Sequence, residues 1–235
     1  MSDMEKGQSS QSATVNATPP AQAAYNGQHG FTPISHTPRP TGIGNPGALG
    51  LFSFASTTFM LSLYNVGAHG VSTPNVIVGM ALFTGGLAQL LAGMWEFPRG
   101  NQFGGTAFVS YGAFWMSYAT ILIPSSGIAT AYATKQELDN AIGIYLEIWF
   151  VFTSLLLIGA IRRNITFILL LFFLALTFLI LGVGSFTGSA SVNRAGGALG
   201  IITAWIAYYA GVSELLVREE SYWMPPLGAL PRRLD

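Results

Sequence analysis

Charge is almost missing from the middle three quarters of this chain. Between Pro46 and Leu216 there are only ten Asp, Glu, Lys or Arg residues, and eight of them fall between or at the edges of long apolar runs. Glu147 and Glu214 alone sit inside one. A bilayer core demands about 20 mostly apolar residues per helix, with every backbone group bonded within the segment. Six runs meet that demand, so the expected fold class is an all-α membrane protein with six transmembrane helices and the lipid bilayer as a partner.

Composition narrows the function. The chain has 235 residues, 51% hydrophobic and 9% charged, with a formal net charge of zero. An ordinary soluble domain carries roughly 25% charge. No Lys/Arg-rich block supplies the cationic footprint that phosphate backbones require, so nucleic acid is not an expected partner. Zero cysteines exclude disulfides and thiolate chemistry. No metal-ligand spacing, carboxylate pair or phosphate-cradling loop occurs in a span, so no cofactor or metal is expected. His29, His36 and His69 lie in the tail or a short loop, without a nucleophile and orienting partner nearby. The chain reads as something other than an enzyme.

Residues 1–44 are rich in Ser, Gln, Ala, Thr, Pro and Gly and lack periodicity, which reads as a disordered tail. Residues 45–217 form the transmembrane domain and 218–235 a short second tail. Spans are expected at about 46–66, 73–95, 105–123, 141–161, 165–183 and 196–216. Asn45 and Thr73 precede prolines suited to a first helical position. The fifth run, nearly all Leu, Ile and Phe, has the composition for the greatest lipid exposure. Gly196, Gly200 and Ala204 set a small-residue packing face on the sixth. With six spans both termini share a side, and that side collects eight cationic residues against Lys135 and Arg194 opposite. The positive-inside rule makes it cytoplasmic.

Within the spans lies a scatter of small polar groups, among them Thr57, Thr58, Asn65, Gln89, Thr106 and Ser110. Hydroxyls and amides can pass a small solute along without holding it, and they can equally bond one helix to another. No Lys or Arg is inside a span, so a carboxylate is expected to meet no fixed countercharge. Glu214 is a candidate proton relay, because ionisable groups in membranes are costly and usually functional. Glu96 could pair with Arg99.

Asn45-Pro46-Gly47-Ala48-Leu49-Gly50-Leu51 resembles the Asn-Pro-Ala-Pro-Leu-Gly-Leu signature of the acetate uptake transporter family, which includes fungal ammonia/acetate transporters and bacterial succinate/acetate permeases. The segment from Gly100 to Trp115 is similar to that family's second signature, and Tyr64-Asn65-Val66-Gly67 also matches. Gly47 and Ala48 depart from the first motif, and Gln102 stands where Thr is usual. The resemblance implies transport of acetate and similar monocarboxylates across the plasma membrane, proton-coupled or channel-like, by a homo-hexamer with one pore per protomer. It further implies a mid-membrane constriction of Phe54, Tyr111 and a Leu of the fifth span, placed at Leu174, with the Tyr111 hydroxyl handing a carboxylate past the apolar rings. Asn45, Pro46, Leu49, Gly50, Leu51 and Trp115 carry the signatures. Two other readings stand beside it: export of ammonia or ammonium, and a membrane-embedded acetate sensor whose tail signals to partners.

Overall fold

The computed structural model describes residues 42–71 and 73–231. The tail read as disordered therefore lies outside the described residues except for 42–44. Six long helices follow one another: α1 (Gly47–Asn65), α2 (Ile77–Glu96), α3 (Gln102–Leu122), α4 (Lys135–Ala160), α5 (Ile165–Thr187) and α6 (Ala190–Leu215). All but α3 are long and apolar enough to cross a membrane. Among the described residues there is no strand, only an isolated bridge between Asn164 and Ala229.

Short polar side chains set the helix starts. Asn101, Thr134, Asn164 and Ser189 each accept a hydrogen bond from the backbone N–H three residues on, which satisfies a donor that no earlier carbonyl can reach. These caps lengthen α4 and α6 by about a turn and a half beyond the apolar runs, because a helix need not stop where lipid does. At the start of α1 the expected cap shifts by one residue: Pro46 is the boundary residue and the Asn45 carboxamide oxygen accepts from Gly47 N–H at 3.0 Å. α2 begins at Ile77 rather than Thr73. α5 closes on Gly188 in the left-handed region (φ 62°), where a side chain would be strained.

α1 is the central rod, with 61% of its apolar stretch buried. It packs along α6 and against α2, while α2 packs on α3, α4 on α5 and α5 on α6. The small face read from Gly196 and Gly200 is in use, with Gly196 against Leu181 of α5 and Gly200 against Ser62 of α1. The outermost helix is α4, at 17% buried, and not the greasier α5. The reason is geometric: α5 turns Leu170, Leu171, Leu174 and Phe178 inward, whereas Ile144, Ile148, Val151, Leu155 and Ile158 of α4 point out. α3 and α4 are bridged by large rings instead of close backbones, with Tyr111, Phe114, Trp149 and Phe152 in edge or tilted contact.

After α6 the chain folds back instead of trailing away. Tyr209 and Ser213 donate their hydroxyls to the carbonyls of Pro226 and Pro225 at 2.7 and 2.9 Å. Ile165 and Thr166 N–H then donate to Gly228 and Leu227 carbonyls at 2.9 and 3.2 Å. The return segment thus supplies acceptors for the otherwise unpaired first turn of α5.

Candidate functional site

Connectivity places the starts of α1, α3 and α5 and the ends of α2, α4 and α6 at one end of the bundle. Their polar residues meet there. Asn45 Nδ2 donates to Glu214 Oε2 at 2.7 Å, while Arg99 Nη1 donates to Asn45 Oδ1 at 2.7 Å and to Glu96 Oε2 at 3.2 Å. Asn101 Nδ2 also donates to Glu96 Oε2, at 3.0 Å. Glu96 is 1% exposed, so its charge depends on these partners. Arg99→Leu should therefore destabilise the protein by about 2–3 kcal/mol, and adding Glu96→Gln should recover most of that loss, read by thermal unfolding of the detergent-solubilised chain.

This end opens into a cavity of about 650 Å³ that reaches Phe54, Gln89 and Tyr111. A second cavity, of about 580 Å³, opens at the other end past Asn65, Tyr118 and Asn193 and reaches Phe54, Thr58, Trp115 and Leu174. Phe54 borders both, Tyr111 the first and Leu174 the second. All three are nearly sealed, at 4%, 3% and 2% exposure. The Phe54 and Tyr111 rings lie 5.6 Å apart, tilted by 49°. The Tyr111 hydroxyl is paired with Thr153 Oγ1 at 2.9 Å on α4.

Of the other signature and path residues, Asn45, Leu51 and Gln89 border the first cavity, and Asn65 and Trp115 the second. The rest are elsewhere. Leu49 is 52% exposed on the outer face of α1. Pro46 begins that helix, and Gly50 gives room to the Phe108 ring. Thr106 is exposed and Ser110 half-buried, neither on a cavity wall. Thr57 is fully buried, but its hydroxyl turns back to the Ser53 carbonyl at 2.9 Å. Period 3.6 explains these placements, since residues one or two apart on a helix face different ways. Glu147 presses its carboxylate against Gly182 of α5, away from both cavities.

Two features escaped sequence reasoning. Arg99, Arg162 and Arg163 all border the first cavity, so a carboxylate there does meet fixed positive charge. Arg163 lies 4.2 Å above the Phe103 ring, and the partial burial lowers its pKa from the ordinary arginine value. These residues sit between spans in the sequence, and only folding swings them over the mouth. The second feature is a π-helical turn at Phe83–Ala88 inside α2, which adds a residue to the helical turn. Gln89 follows it directly. That side chain is wholly buried, and neither its amide nitrogen nor its oxygen has a partner among the described residues. Gly85-Gly86 was the available signal, because a Cβ on Gly85 would meet Thr57 of α1 at 2.6 Å.

Apolar helices long enough to cross a membrane, enclosing two polar-bordered cavities that share Phe54, are the features of a membrane-embedded protein. The chain belongs to the GPR1/FUN34/yaaH family, whose model matches residues 28–232. It is 49% identical over 188 residues to ammonia transport outward protein 2 of Saccharomyces cerevisiae, covering 80% of this chain and 67% of that one. It is 35% identical over 191 residues to the succinate-acetate/proton symporter SatP of Escherichia coli, covering 80% and 97%. Among solved structures, that of the bacterial acetate channel SatP superposes with a TM-score of 0.70 at 34% identity, covering 79% of this chain and 99% of the other. The chain spans only 63–69% of the length of the first fungal relatives it matches.

Proposed function

We propose that this protein carries acetate and similar short monocarboxylates across the plasma membrane. The observation that carries the reading is the pair of cavities, one from each end of the bundle, that meet at Phe54. In this reading α1 to α6 all cross the bilayer, residues 45–217 form the transport domain, and both tails are cytoplasmic. The arginine-bearing cavity faces the cytoplasm, and Phe54, Tyr111 and Leu174 form the constriction of one pore in each subunit of a homo-hexamer. The SatP relatives, one named an acetate channel and one a succinate-acetate/proton symporter, support the substrate class.

Bringing an anion into a negative interior costs about 2.3 kcal/mol per charge per 100 mV, and a co-transported proton removes that cost. Glu214, which borders the first cavity and accepts a hydrogen bond from Asn45, is the proposed relay. Labelled acetate uptake by purified protein in proteoliposomes, with and without an imposed pH gradient, tests the reading. Methylammonium run in parallel tests the other direction suggested by the yeast relative's name. Methylammonium flux with no acetate flux would sink the proposal. Tyr111→Ala should raise uptake of butyrate relative to acetate by about tenfold, the worth of roughly one or two methylenes in an apolar fit. An unchanged ratio would remove Tyr111 from the neck.

A further inference from the structure

We infer that Thr153 of α4 is a positioning residue for the constriction, one that holds the Tyr111 ring in place and thereby sets which acids pass. This deepens the transport reading and rests on it.

Thr153 borders neither cavity, and its side chain is fully buried where α4 meets α3. Those two helices meet through side chains rather than through closely packed backbones. Around the Tyr111 ring, α4 supplies Trp149 and Phe152 with centroids 6.1 and 6.0 Å away, and α1 supplies Phe54 at 5.6 Å. Ring contacts of this kind resist separation more than they resist sliding or turning. The directional contact is the hydrogen bond, 2.9 Å between the Tyr111 hydroxyl and Thr153 Oγ1.

The Thr153 hydroxyl is committed to that bond. Thr57, Thr177 and Thr203, also buried in helices, donate to the carbonyl four residues back at 2.9, 2.8 and 2.9 Å, and Ser154 beside it does so at 2.8 Å. Thr153 makes no such bond among the described residues, and its partner lies on another helix. Tyr145 of α4 also reaches α3, but there its hydroxyl donates to the Phe114 carbonyl at 3.1 Å and pairs with Ser117 Oγ at 2.7 Å. That clasp grips the α3 backbone and not a constriction ring.

Without the Thr153 hydroxyl, the Tyr111 hydroxyl is sealed with no partner, which is costly, and the first cavity that Tyr111 borders offers space to hydrate it. The ring then turns into that cavity and narrows the path for longer alkyl chains. The residue that sets the opening is thus carried by the helix most exposed to the bundle's surroundings.

The test compares Thr153→Val, Thr153→Ser and Tyr145→Phe in the full chain, in proteoliposomes for uptake and in nanodiscs, labelled with fluorotyrosine, for fluorine NMR. Thr153→Val keeps the volume and removes the hydroxyl. It should lower butyrate uptake relative to acetate by about three- to tenfold, up to what an apolar fit gives for one methylene. It should also displace the Tyr111 fluorine signal, identified by its absence in Tyr111→Phe. Thr153→Ser should restore both. Tyr145→Phe should lower the melting temperature while the uptake ratio and the Tyr111 signal stay at the parent's values. An uptake ratio unchanged by Thr153→Val, or shifted as far by Tyr145→Phe, overturns the inference. A parent without acetate flux, in which Thr153→Val still displaces the Tyr111 signal, would instead strike the transport reading and leave the hold of Thr153 on Tyr111 standing.

Discussion

Replacing Gln89 with leucine should raise the thermal stability of the protein while cutting acetate flux at least tenfold. The two effects have opposite signs because they come from different states. In the resting protein the Gln89 amide is sealed in the bundle with no partner for either polar atom among the described residues. Burying an amide without its hydrogen bonds costs about 1–3 kcal/mol by mutational measure, so a leucine of similar volume should regain roughly 1–2 kcal/mol. Gln89 also borders the first cavity, which reaches the Phe54 and Tyr111 rings as well. There its N–H groups can take over from water at a carboxylate, and losing one hydrogen bond to a charged group costs about 1.5–3 kcal/mol. A purely structural glutamine would give the reverse pattern, with flux and stability falling together. Gln89→Asn, one methylene shorter, should retain stability near the parent's and show an intermediate flux. Melting curves and initial uptake rates on the same preparations decide the matter.

Much of the architecture was open to inspection in the residues, because lipid imposes a coarse rule that local composition reveals. The apolar runs correspond to α1 to α6, and Glu96 does pair with Arg99 at 3.2 Å, as their three-residue spacing allows. What stayed hidden depends on distance in sequence. Asn45 and Glu214 are 169 residues apart, and nothing local announces that they bond. Arg163 reads as an ordinary residue at a helix end until α5 and the return segment bring it over Phe103 beside the first cavity. The greasiest run, α5, proved to be an inner helix because total hydrophobicity says nothing about which face a neighbour will cover. Path residues chosen by chemistry alone divided in the same way: Gln89 and Asn65 border cavities, while Thr57 and Thr106, equally polar in sequence, face a helix backbone and the exterior.

The π-helical turn is likewise invisible to a reading by apolar runs, and it sits where α2 packs on α3. Between α2 and α3 the backbones come so close that glycines are required. A Cβ on Gly93 would lie 2.6 Å from the Val109 backbone nitrogen, and one on Gly112 would lie 2.8 Å from the Leu90 nitrogen and 2.9 Å from the Gly86 carbonyl oxygen. A backbone atom cannot swing aside as a side chain can, so any larger residue must push the helices apart along their whole contact. Small residues are how membrane helices gain packing contacts when lipid is as apolar as the protein, and separation forfeits those contacts together. Gly93→Leu should therefore cost at least about 3 kcal/mol, at or beyond the usual range for overpacking. It should also move Gln89, one turn earlier on the same helix, away from the first cavity. Gly79, also on α2, meets nothing within 4 Å, so Gly79→Leu should fold like the parent. Extraction yield, elution profile and melting temperature of the two variants, compared side by side, separate a close approach from a general intolerance of leucine in this helix. Equal behaviour of the two would mean that α2 and α3 do not meet as closely as their glycines require.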